Sequence, residues 1–377
     1  MPHRADRTTG VQRRRDGSGA SRGSAGAGLA AALLTVGGPA LVLCSSVALA
    51  PAALAEEAAP ATTQCEITDP RLTELSGLVV GADGTMLAIN DGGDLVQVFA
   101  LDPACQVIRV HEADVDPFDP EDLAVGTDGT VWLADTGDNT GTRETVALIA
   151  LRPDGSTAVH RLTYPDGPHD AEALLLAPDG TPYIVTKEVL GSSDVFRPVA
   201  ALEPNGTVGL VEVASVDLTL TGTPGGPVGR AGQLLVTGGA VAADGSALAL
   251  RTYTDAYVWP LTGSDVVGAL AGDPVRVALP ESPQGEAISF SADGTAVVVA
   301  SEGLPSVVSV VPVPTTTAPA GATGAPDGSL ADVLTETEDG VSPLTAGLLA
   351  AALATAIMWL VGRRRRRSTP PAGPTRS

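Results

Sequence analysis

The residues most able to do chemistry in this chain recur at a fixed distance from a repeated turn. The turns are five Asp-Gly pairs, which begin at Asp83, Asp128, Asp179, Asp244 and Asp293. Seven residues before the turns lie Ser76, Glu121, Glu172, Thr237 and Glu286. Seven residues after them lie Asn90, Asp135, Thr186, Arg251 and Ala300. Several carboxylates and amides that converge on one place make the oxygen-rich site that a hard cation such as Ca²⁺ requires.

Basic residues among these positions leave the chemistry open. Lys187, the only lysine in the chain, and Arg251 could neutralise the glutamates as a structural salt-bridge network. Lys187 and Arg251 are equally suited to bind an anionic group of a ligand. Together with Glu172 and Glu286, they are candidate ligand-binding residues. His169 precedes Glu172 on the same rim and is a candidate general base. A structural network, a metal-supported binding site and a catalytic site therefore remain three alternatives.

The stretch 120–139 shows which element positions these residues. It predicts a β-hairpin, because Leu123 and Val125 alternate with small or polar residues before the Asp-Gly turn, as Val131 and Leu133 do after it. In such a hairpin the positions seven residues before and after the turn lie nearly opposite, at the same end. If the hairpins are the inner strands of blades, the polar residues form a ring around one axis.

The spacing of the turns predicts the fold. They are separated by 45, 51, 65 and 49 residues, a period typical of the blades of a β-propeller. We expect an all-β propeller over residues 62–313 with five blades. The count becomes six if the irregular stretch 219–232 supplies strands that the pattern does not reveal. Residues 64–67 are expected to complete the last blade, which leaves no open sheet edge.

Three of the hairpins carry a family resemblance. The stretches EDLAVGTDGTVWLADTGDN, HDAEALLLAPDGTPYIVTKE and QGEAISFSADGTAVVVASEG resemble the inner hairpins of exported bacterial propellers of the NHL-repeat, gluconolactonase-like and phytase-like groups. The resemblance covers roughly residues 62–313. It implies a ligand or Ca²⁺ at the axial mouth, with Glu121, Asp135 and Asn90 as the matching metal ligands.

The cysteines suggest an oxidising compartment. Cys44 lies in a segment that we expect to be removed, which leaves Cys65 and Cys105 as an even pair about one blade apart. We predict a disulfide between them.

The ends of the chain differ from the repeats in composition. Residues 1–55 predict a signal peptide, and 314–343 a flexible stalk rich in Pro, Thr and Ala. Residues 344–362 contain no charge and predict one transmembrane helix, followed by a basic cytoplasmic tail at 363–377. The expected localisation is a single-pass type I protein of the cell membrane, with the membrane as a partner of its C-terminal helix and the propeller outside the cytoplasm.

The net charge limits the classes of function that the chain can have. The formal net charge is −22, although the arginines are concentrated at the two ends, and such a surface repels nucleic acid. We expect a binding or scaffold module whose acidic mouth recognises an envelope ligand or a protein partner, and we favour a non-enzymatic role. The alternative is a Ca²⁺-dependent hydrolase of the lactonase or phosphoester type.

Overall fold

The computed structural model describes residues 60–314. Within this range the chain forms twenty strands and only two short helical segments. The all-β prediction is therefore confirmed. The strands fall into groups of four that follow the predicted hairpins.

The first three groups follow one another along the chain. A separate first strand, β1 (Thr62–Ile67), precedes them. The first group is β2 (Leu75–Val80), β3 (Met86–Asn90), β4 (Val96–Leu101) and β5 (Val107–Ala113). The second group is β6 (Pro120–Val125), β7 (Val131–Asp135), β8 (Val146–Leu151) and β9 (Thr157–Thr163). The third group is β10 (Ala171–Leu176), β11 (Pro182–Thr186), β12 (Ser192–Pro198) and β13 (Thr207–Asp217).

The remaining strands contain the two helical segments and the C-terminal end of the described chain. A 3₁₀ turn (Gly229–Gln233) precedes the fourth group. That group is β14 (Val236–Val241), β15 (Ala247–Thr252), β16 (Asp255–Pro260) and β17 (Val275–Ala278), with helix α1 (Val266–Leu270) between its last two strands. The last strands are β18 (Gly285–Phe290), β19 (Ala296–Ser301) and β20 (Ser306–Pro312).

Each group is an antiparallel sheet in chain order, with two additions. The second and third groups join through a short parallel pairing of β13 with β9, which gives one eight-stranded sheet. The last group gains β1, which pairs with β20 from Thr62 opposite Val310 to Ile67 opposite Ser306. The N-terminal strand therefore completes the last sheet, as the sequence predicted.

The first strands of the groups lie side by side around a closed ring. Strand β2 packs against β6, β6 against β10, β10 against β14, β14 against β18, and β18 returns to β2. A closed succession of antiparallel sheets of this kind is consistent with a propeller. We call these first strands the ring strands. Their N-terminal ends position the candidate site.

The Asp-Gly turns have the predicted conformation. Gly129 has a φ of 81°, and the equivalent glycines of the other four turns also have positive φ. Asp128 Oδ1 accepts a hydrogen bond of 2.9 Å from the backbone N–H of Thr130. That bond lowers the pKa of Asp128, so the ionised carboxylate stabilises the turn.

A buried carboxylate ties three of the groups together. Asp122 is 1% exposed, and its Oδ2 accepts hydrogen bonds from Leu174 N of β10 at 2.8 Å and Gly239 N of β14 at 3.0 Å. Its Oδ1 accepts from Leu123 N at 2.8 Å. Burial raises the pKa of Asp122 to about 8, although these three backbone donors act in the opposite direction.

The irregular stretch 219–232 forms a loop that hydrogen bonds from side chains hold in place. Thr221 and Thr223 each donate a hydroxyl hydrogen bond of 2.8 Å to the buried Asp255 carboxylate. Gln233 Oε1 accepts from Thr221 N at 2.8 Å. The stretch therefore crosses between β13 and β14 as an insertion with one 3₁₀ turn and adds no strand of its own.

The predicted disulfide is confirmed. Cys65 of β1 is bonded to Cys105 in the turn between β4 and β5, with a Cα–Cα distance of 5.8 Å. The bond links the strand that completes the last sheet to the outer edge of the first.

The structure contradicts the predicted membrane anchor and the type I localisation. Across residues 60–314 no helix is long and apolar enough to cross a bilayer. The only α-helix there, α1, has 5 residues, whereas a crossing needs about 20. The segment for which the anchor was predicted, 344–362, lies outside the described residues. So do the predicted signal peptide (1–55), the basic tail (363–377) and the stalk from residue 315 onward.

The disulfide allows a test of ring closure. The double variant Cys65→Ser, Cys105→Ser should lower the free energy of unfolding by about 3–4 kcal/mol, because the bond closes a loop of 40 residues. Chemical denaturation of the variant and of the reduced parent should give the same loss. Unchanged stability in both would show that the bond contributes nothing to the closed ring.

Candidate functional site

The five residues that lie seven positions before the Asp-Gly turns are called the ring positions. At each of them the pairing between the first and the second strand of a group shifts register. Pro120 pairs with Asp135 and Asp122 with Ala134, so Glu121 has no partner across the ladder. Glu172 is skipped in the same way. The same holds for the other three positions, Ser76, Thr237 and Glu286. An extra residue of this kind bends its strand and redirects its side chain.

The register shifts bring two glutamates of the ring to one place. Glu121 and Glu172 are 4% and 3% exposed. Together with Asp170, which directly precedes β10, they offer carboxylate oxygens that all lie within 4.8 Å of one another. We call Glu121, Asp170 and Glu172 the axial cluster. Three carboxylates at this separation can ligate one metal ion.

Glu172 and Lys187 form the central ion pair of the site. Glu172 Oε1 accepts a hydrogen bond from Lys187 Nζ, and Glu172 Oε2 is buried without a hydrogen-bond partner. Burial alone lowers the pKa of Lys187, but Glu172, Tyr253 and Glu286 outweigh it and hold that pKa well above its usual value. Lys187 Nζ also lies 5.3 Å from the centre of the Tyr253 ring. Lys187 is therefore a fixed ammonium and not a nucleophile.

Further carboxyl groups surround the axial cluster. They are Asp91, Asp119, Glu286 and Glu302. Desolvation raises the pKa of Asp91 to about 8, helped by Glu74 and Glu286, and that of Glu302 to about 10, helped by Glu286 and Asp91. Burial is also the main cause that raises the pKa values of Glu121 and Glu172 far above normal. The acidic groups outnumber the cations beside them, so protons or a bound cation must neutralise the remainder.

Arg251 is a structural cation. It is 1% exposed, and its Nη1 donates to the backbone oxygens of Ala287 at 2.6 Å and Ala300 at 3.0 Å. Burial lowers its pKa to about 9. Its hydrogen bonds stabilise β18 and β19, and the structure shows its guanidinium on backbone carbonyls rather than at the axial cluster.

Asn90 and Asp135, predicted as metal ligands together with Glu121, form hydrogen bonds to other groups. Asn90 Nδ2 donates to Arg71 O at 2.6 Å. Asp135 Oδ1 accepts from Asp119 N at 2.8 Å and from Arg143 Nη2 at 3.0 Å. Because of the register shift, Asn90 and Asp135 pair with the residues one before the ring positions, Leu75 and Pro120.

His169 directly precedes Asp170 of the axial cluster, and its ring contacts residues outside that cluster. Its Nε2 is 3.0 Å from Asp166 Oδ1, and its Nδ1 is 3.7 Å from Glu188 Oε1. Its ring packs against Tyr164 and Phe196, with centroids 4.9 and 5.2 Å away. Its role as a general base stays a prediction.

Gly137 is a site residue that the sequence pattern did not indicate. A Cβ built on Gly137 would overlap Glu121 Oε1 and would lie 2.7 Å from Asp119 Oδ2. An added Cβ would therefore require both carboxylates to move. Its backbone oxygen also accepts a hydrogen bond of 2.7 Å from Arg143 Nη1.

Comparisons with known proteins give a fold and no family. No protein-family model matches the chain, and no curated protein matches its sequence. Solved structures similar to it include a gluconolactonase from Xanthomonas campestris, with 16% identity, a TM-score of 0.38 and coverage of 64% of this chain and 73% of that one. A luciferin-regenerating enzyme has 14% identity, a TM-score of 0.38 and coverage of 63% and 77%. Virginiamycin B lyase from Staphylococcus aureus has 12% identity, a TM-score of 0.33 and coverage of 64% and 67%. Gluconolactonase and related propeller enzymes are thus among the solved structures that the chain is similar to, as the resemblance implied, and nothing of their activity is carried over to this chain.

Gly137 can be tested by adding one methyl group. Gly137→Ala should lower the free energy of unfolding by about 1–3 kcal/mol, because the new Cβ must displace the Glu121 and the Asp119 carboxylates. Gly92→Ala is the matched control, since no atom lies within 4 Å of its added Cβ. Equal unfolding midpoints in urea for the two variants would contradict the steric role of Gly137.

The pKa of Asp91 predicts how stability depends on pH. The folded protein keeps a proton on Asp91 up to about pH 8, whereas the unfolded chain releases it near its ordinary value of 3.8. Raising the pH between these values therefore favours unfolding. In EDTA the melting temperature should fall from about pH 5 to about pH 8. Asp91→Asn should reduce this slope, and Asp114→Asn, at an exposed carboxylate, should leave it unchanged. A slope that Asp91→Asn does not alter would refute the assignment.

Proposed function

We propose that this chain is a divalent-cation-dependent hydrolase of uncharged lactones or esters, with the axial cluster as its cation site. The observation that carries the proposal is the buried, unpartnered Oε2 of Glu172 beside the carboxylates of Glu121 and Asp170. A buried polar atom without a partner is costly, and a cation bound there would remove the cost.

The residues fit Ca²⁺ in chemistry and in charge. All three members of the axial cluster offer carboxylate oxygens, the ligands that Ca²⁺ prefers. Their three formal negative charges, set against the single positive charge of Lys187, leave an excess that one divalent cation neutralises. The deep burial of Glu121 and Glu172 strengthens this requirement, because a buried charge must be paired.

The site contains parts that hydrolysis of a lactone needs. A bound cation would supply the positive charge that polarises the carbonyl group. Lys187, fixed by Glu172, adds a second positive charge of the kind that stabilises a developing oxyanion. Water adds to the carbonyl carbon, the ring C–O bond breaks, the leaving alkoxide takes up one proton and the new acid releases one. Asp91 is the group we favour for proton transfer, because a pKa of about 8 leaves it protonated near neutral pH, so that it can give its proton to the leaving alkoxide.

Charge separates the two substrate classes expected for a hydrolase of this kind. A phosphoester is an anion and would approach a chain whose formal net charge is −22. Such a net charge lowers the local concentration of anions. A neutral lactone or ester meets no such barrier, so the acidic surroundings favour it over a phosphoester.

The non-enzymatic module favoured from sequence has weaker support. A scaffold needs an axis whose charges are satisfied within the protein. Arg251 and Asp122 meet this requirement through backbone partners, but Glu172 Oε2 does not. For the fold we infer five blades, one for each four-stranded group, because the irregular stretch contributes a pinned loop and no strand.

The cation site is tested by calorimetric titration of the EDTA-treated protein with CaCl₂. We expect one saturable site, weakened about 100-fold in Glu172→Gln, because a charged ligand oxygen is lost. Glu286→Gln is the matched control, since Glu286 is also buried, at 4% exposure, and occupies the same strand position outside the axial cluster. No Ca²⁺ binding by the parent, or equal weakening in both variants, would refute the cation site.

Activity is measured separately, by the acid released from γ-butyrolactone with Ca²⁺ and with EDTA. Ca²⁺-dependent release that Glu172→Gln abolishes is the expected result, with no release of phosphate from 4-nitrophenyl phosphate. Tight Ca²⁺ binding without turnover of lactones or esters would overturn the hydrolase and support the binding module.

A further inference from the structure

A groove opens beside the axial cluster, between the loop that precedes β6 and the strands β8 and β9. Its volume is about 440 Å³, within the range of about 300–1,000 Å³ that is typical of small-molecule sites. Much of its lining is apolar, with Val115, Phe118, Val146, Ile149 and Val159. The groove plays no part in the hydrolysis described above.

Phe118 forms a fixed aromatic platform in this groove. Its side chain is 66% exposed, and the Arg143 guanidinium carbon lies 4.5 Å from the ring centre. Arg143 is itself held at two points, Gly137 O and Asp135 Oδ1. The Phe118 backbone N–H donates to Asp135 Oδ1 at 3.2 Å. The ring is thus positioned from one side while much of its surface stays open to solvent.

The groove and the axial cluster share a wall. Asp135 accepts hydrogen bonds from Phe118 N and from Asp119 N, so one carboxylate positions both residues. Gly137 joins the two sides, because its oxygen holds Arg143 while its Cα abuts the carboxylates of Glu121 and Asp119. The groove and the axial cluster are therefore linked through Asp135 and Gly137.

The charges of the groove select against an anionic ligand. Arg143 is neutralised by Asp135, with which it forms an ion pair of 3.0 Å. Asp116 and Glu144 also line the groove, against Arg161 as its second cation. The groove therefore combines apolar side chains with a small excess of acidic over basic ones, which an uncharged ligand with an apolar group can fit.

Exposed apolar residues recur at the same end of the fold. Leu95, Val189, Leu190 and Leu304 are 37%, 50%, 64% and 37% exposed. Like Phe118, all four lie on loops that follow the second strand of a group or precede its first strand. An apolar rim around an acidic centre suits a substrate with a polar reacting group and an apolar substituent.

We propose that the groove binds the apolar substituent of the lactone or ester, and that Phe118 determines the preference for substrates that carry an aromatic group there. This inference rests on the proposed hydrolase and names its substrate class. The carbonyl group lies at the axial cluster and the aromatic group stacks on Phe118. Aromatic pairs of this kind contribute about 0.5–1.5 kcal/mol beyond the area they bury.

The test compares γ-butyrolactone with α-benzyl-γ-butyrolactone, which differ only in the benzyl group. Phe118→Ala should raise KM for the benzyl lactone about tenfold, leave kcat unchanged and leave both constants for the unsubstituted lactone unchanged. Phe118→Tyr should restore the parent KM, since it keeps the ring. Ile108→Ala removes an equally exposed apolar side chain outside the groove, 60% exposed on β5, and should change nothing. Equal KM changes for both lactones, or none for either, would overturn the inference.

A binding measurement separates this inference from the hydrolase itself. Saturation-transfer NMR with α-benzyl-γ-butyrolactone should show transfer to the benzyl protons in the parent and a loss of that transfer in Phe118→Ala. Phe118-dependent transfer without any turnover would refute the hydrolase and leave the groove as the binding site. Turnover without Phe118-dependent transfer would refute the groove and leave the hydrolase.

Discussion

Buried carboxylates without enough counter-charge are the constraint on which this structure depends. The ring strands bring Glu121, Glu172 and Glu286 toward one axis at 3–4% exposure, and Lys187 pairs with only one of them directly. Ionised carboxylates in such surroundings destabilise the fold unless something neutralises them. The raised pKa values of the surrounding groups express the same imbalance as proton uptake. A bound cation would neutralise the carboxylates without protonating them. Closure of the ring of strands would then be linked to the chemistry at the axial cluster.

Elsewhere around the axis, buried charges are satisfied by backbone groups of neighbouring sheets. Asp122 accepts backbone N–H groups from β10 and β14, and Arg251 donates to carbonyls of β18 and β19. Both are nearly inaccessible, and both join separate groups of strands. They show how this fold treats a charge whose role is structural. Glu172 is treated differently, because one oxygen accepts a hydrogen bond from Lys187 and the other, although buried, has no hydrogen-bond partner. The contrast is the reason to assign function to Glu172 and structure to Arg251.

The fold could be predicted because it depends on local features of the sequence. The site could be predicted only in part, because its geometry depends on the register of the strands. The Asp-Gly turns, their period and the Cys65–Cys105 pair depend on contacts within or between adjacent hairpins, and the structure has them as expected. The ring position occupied by Glu121 was also identifiable. The proposed partners Asn90 and Asp135 were chosen as if the ladder were regular. A shift of one residue at Glu121 changes the register at the mouth, and a shift of this size moves side chains to the opposite face. The sequence pattern did not identify Asp170 as a ligand, because Asp170 precedes β10 and has no position in the strand ladder. It did not identify Gly137, because the role of Gly137 depends on its having no side chain.

Lys187 explains how an acidic mouth could serve a reaction on an uncharged substrate. With carboxylates alone, the axial cluster would hold a divalent cation tightly and leave little positive charge for a carbonyl oxygen. With a cation bound, the Lys187 ammonium would share Glu172 with it, which would reduce the negative charge around the cation and add a second positive charge at the same place. Tyr253, 5.3 Å from Nζ, limits where the ammonium can move. Because the pKa of Lys187 is held far above neutral, this charge persists over the range in which Asp91 loses its proton. The proposed site would therefore combine the fixed charge of Lys187 with a titrating carboxyl, and the groove lined by Phe118 would bind the apolar part of a neutral substrate.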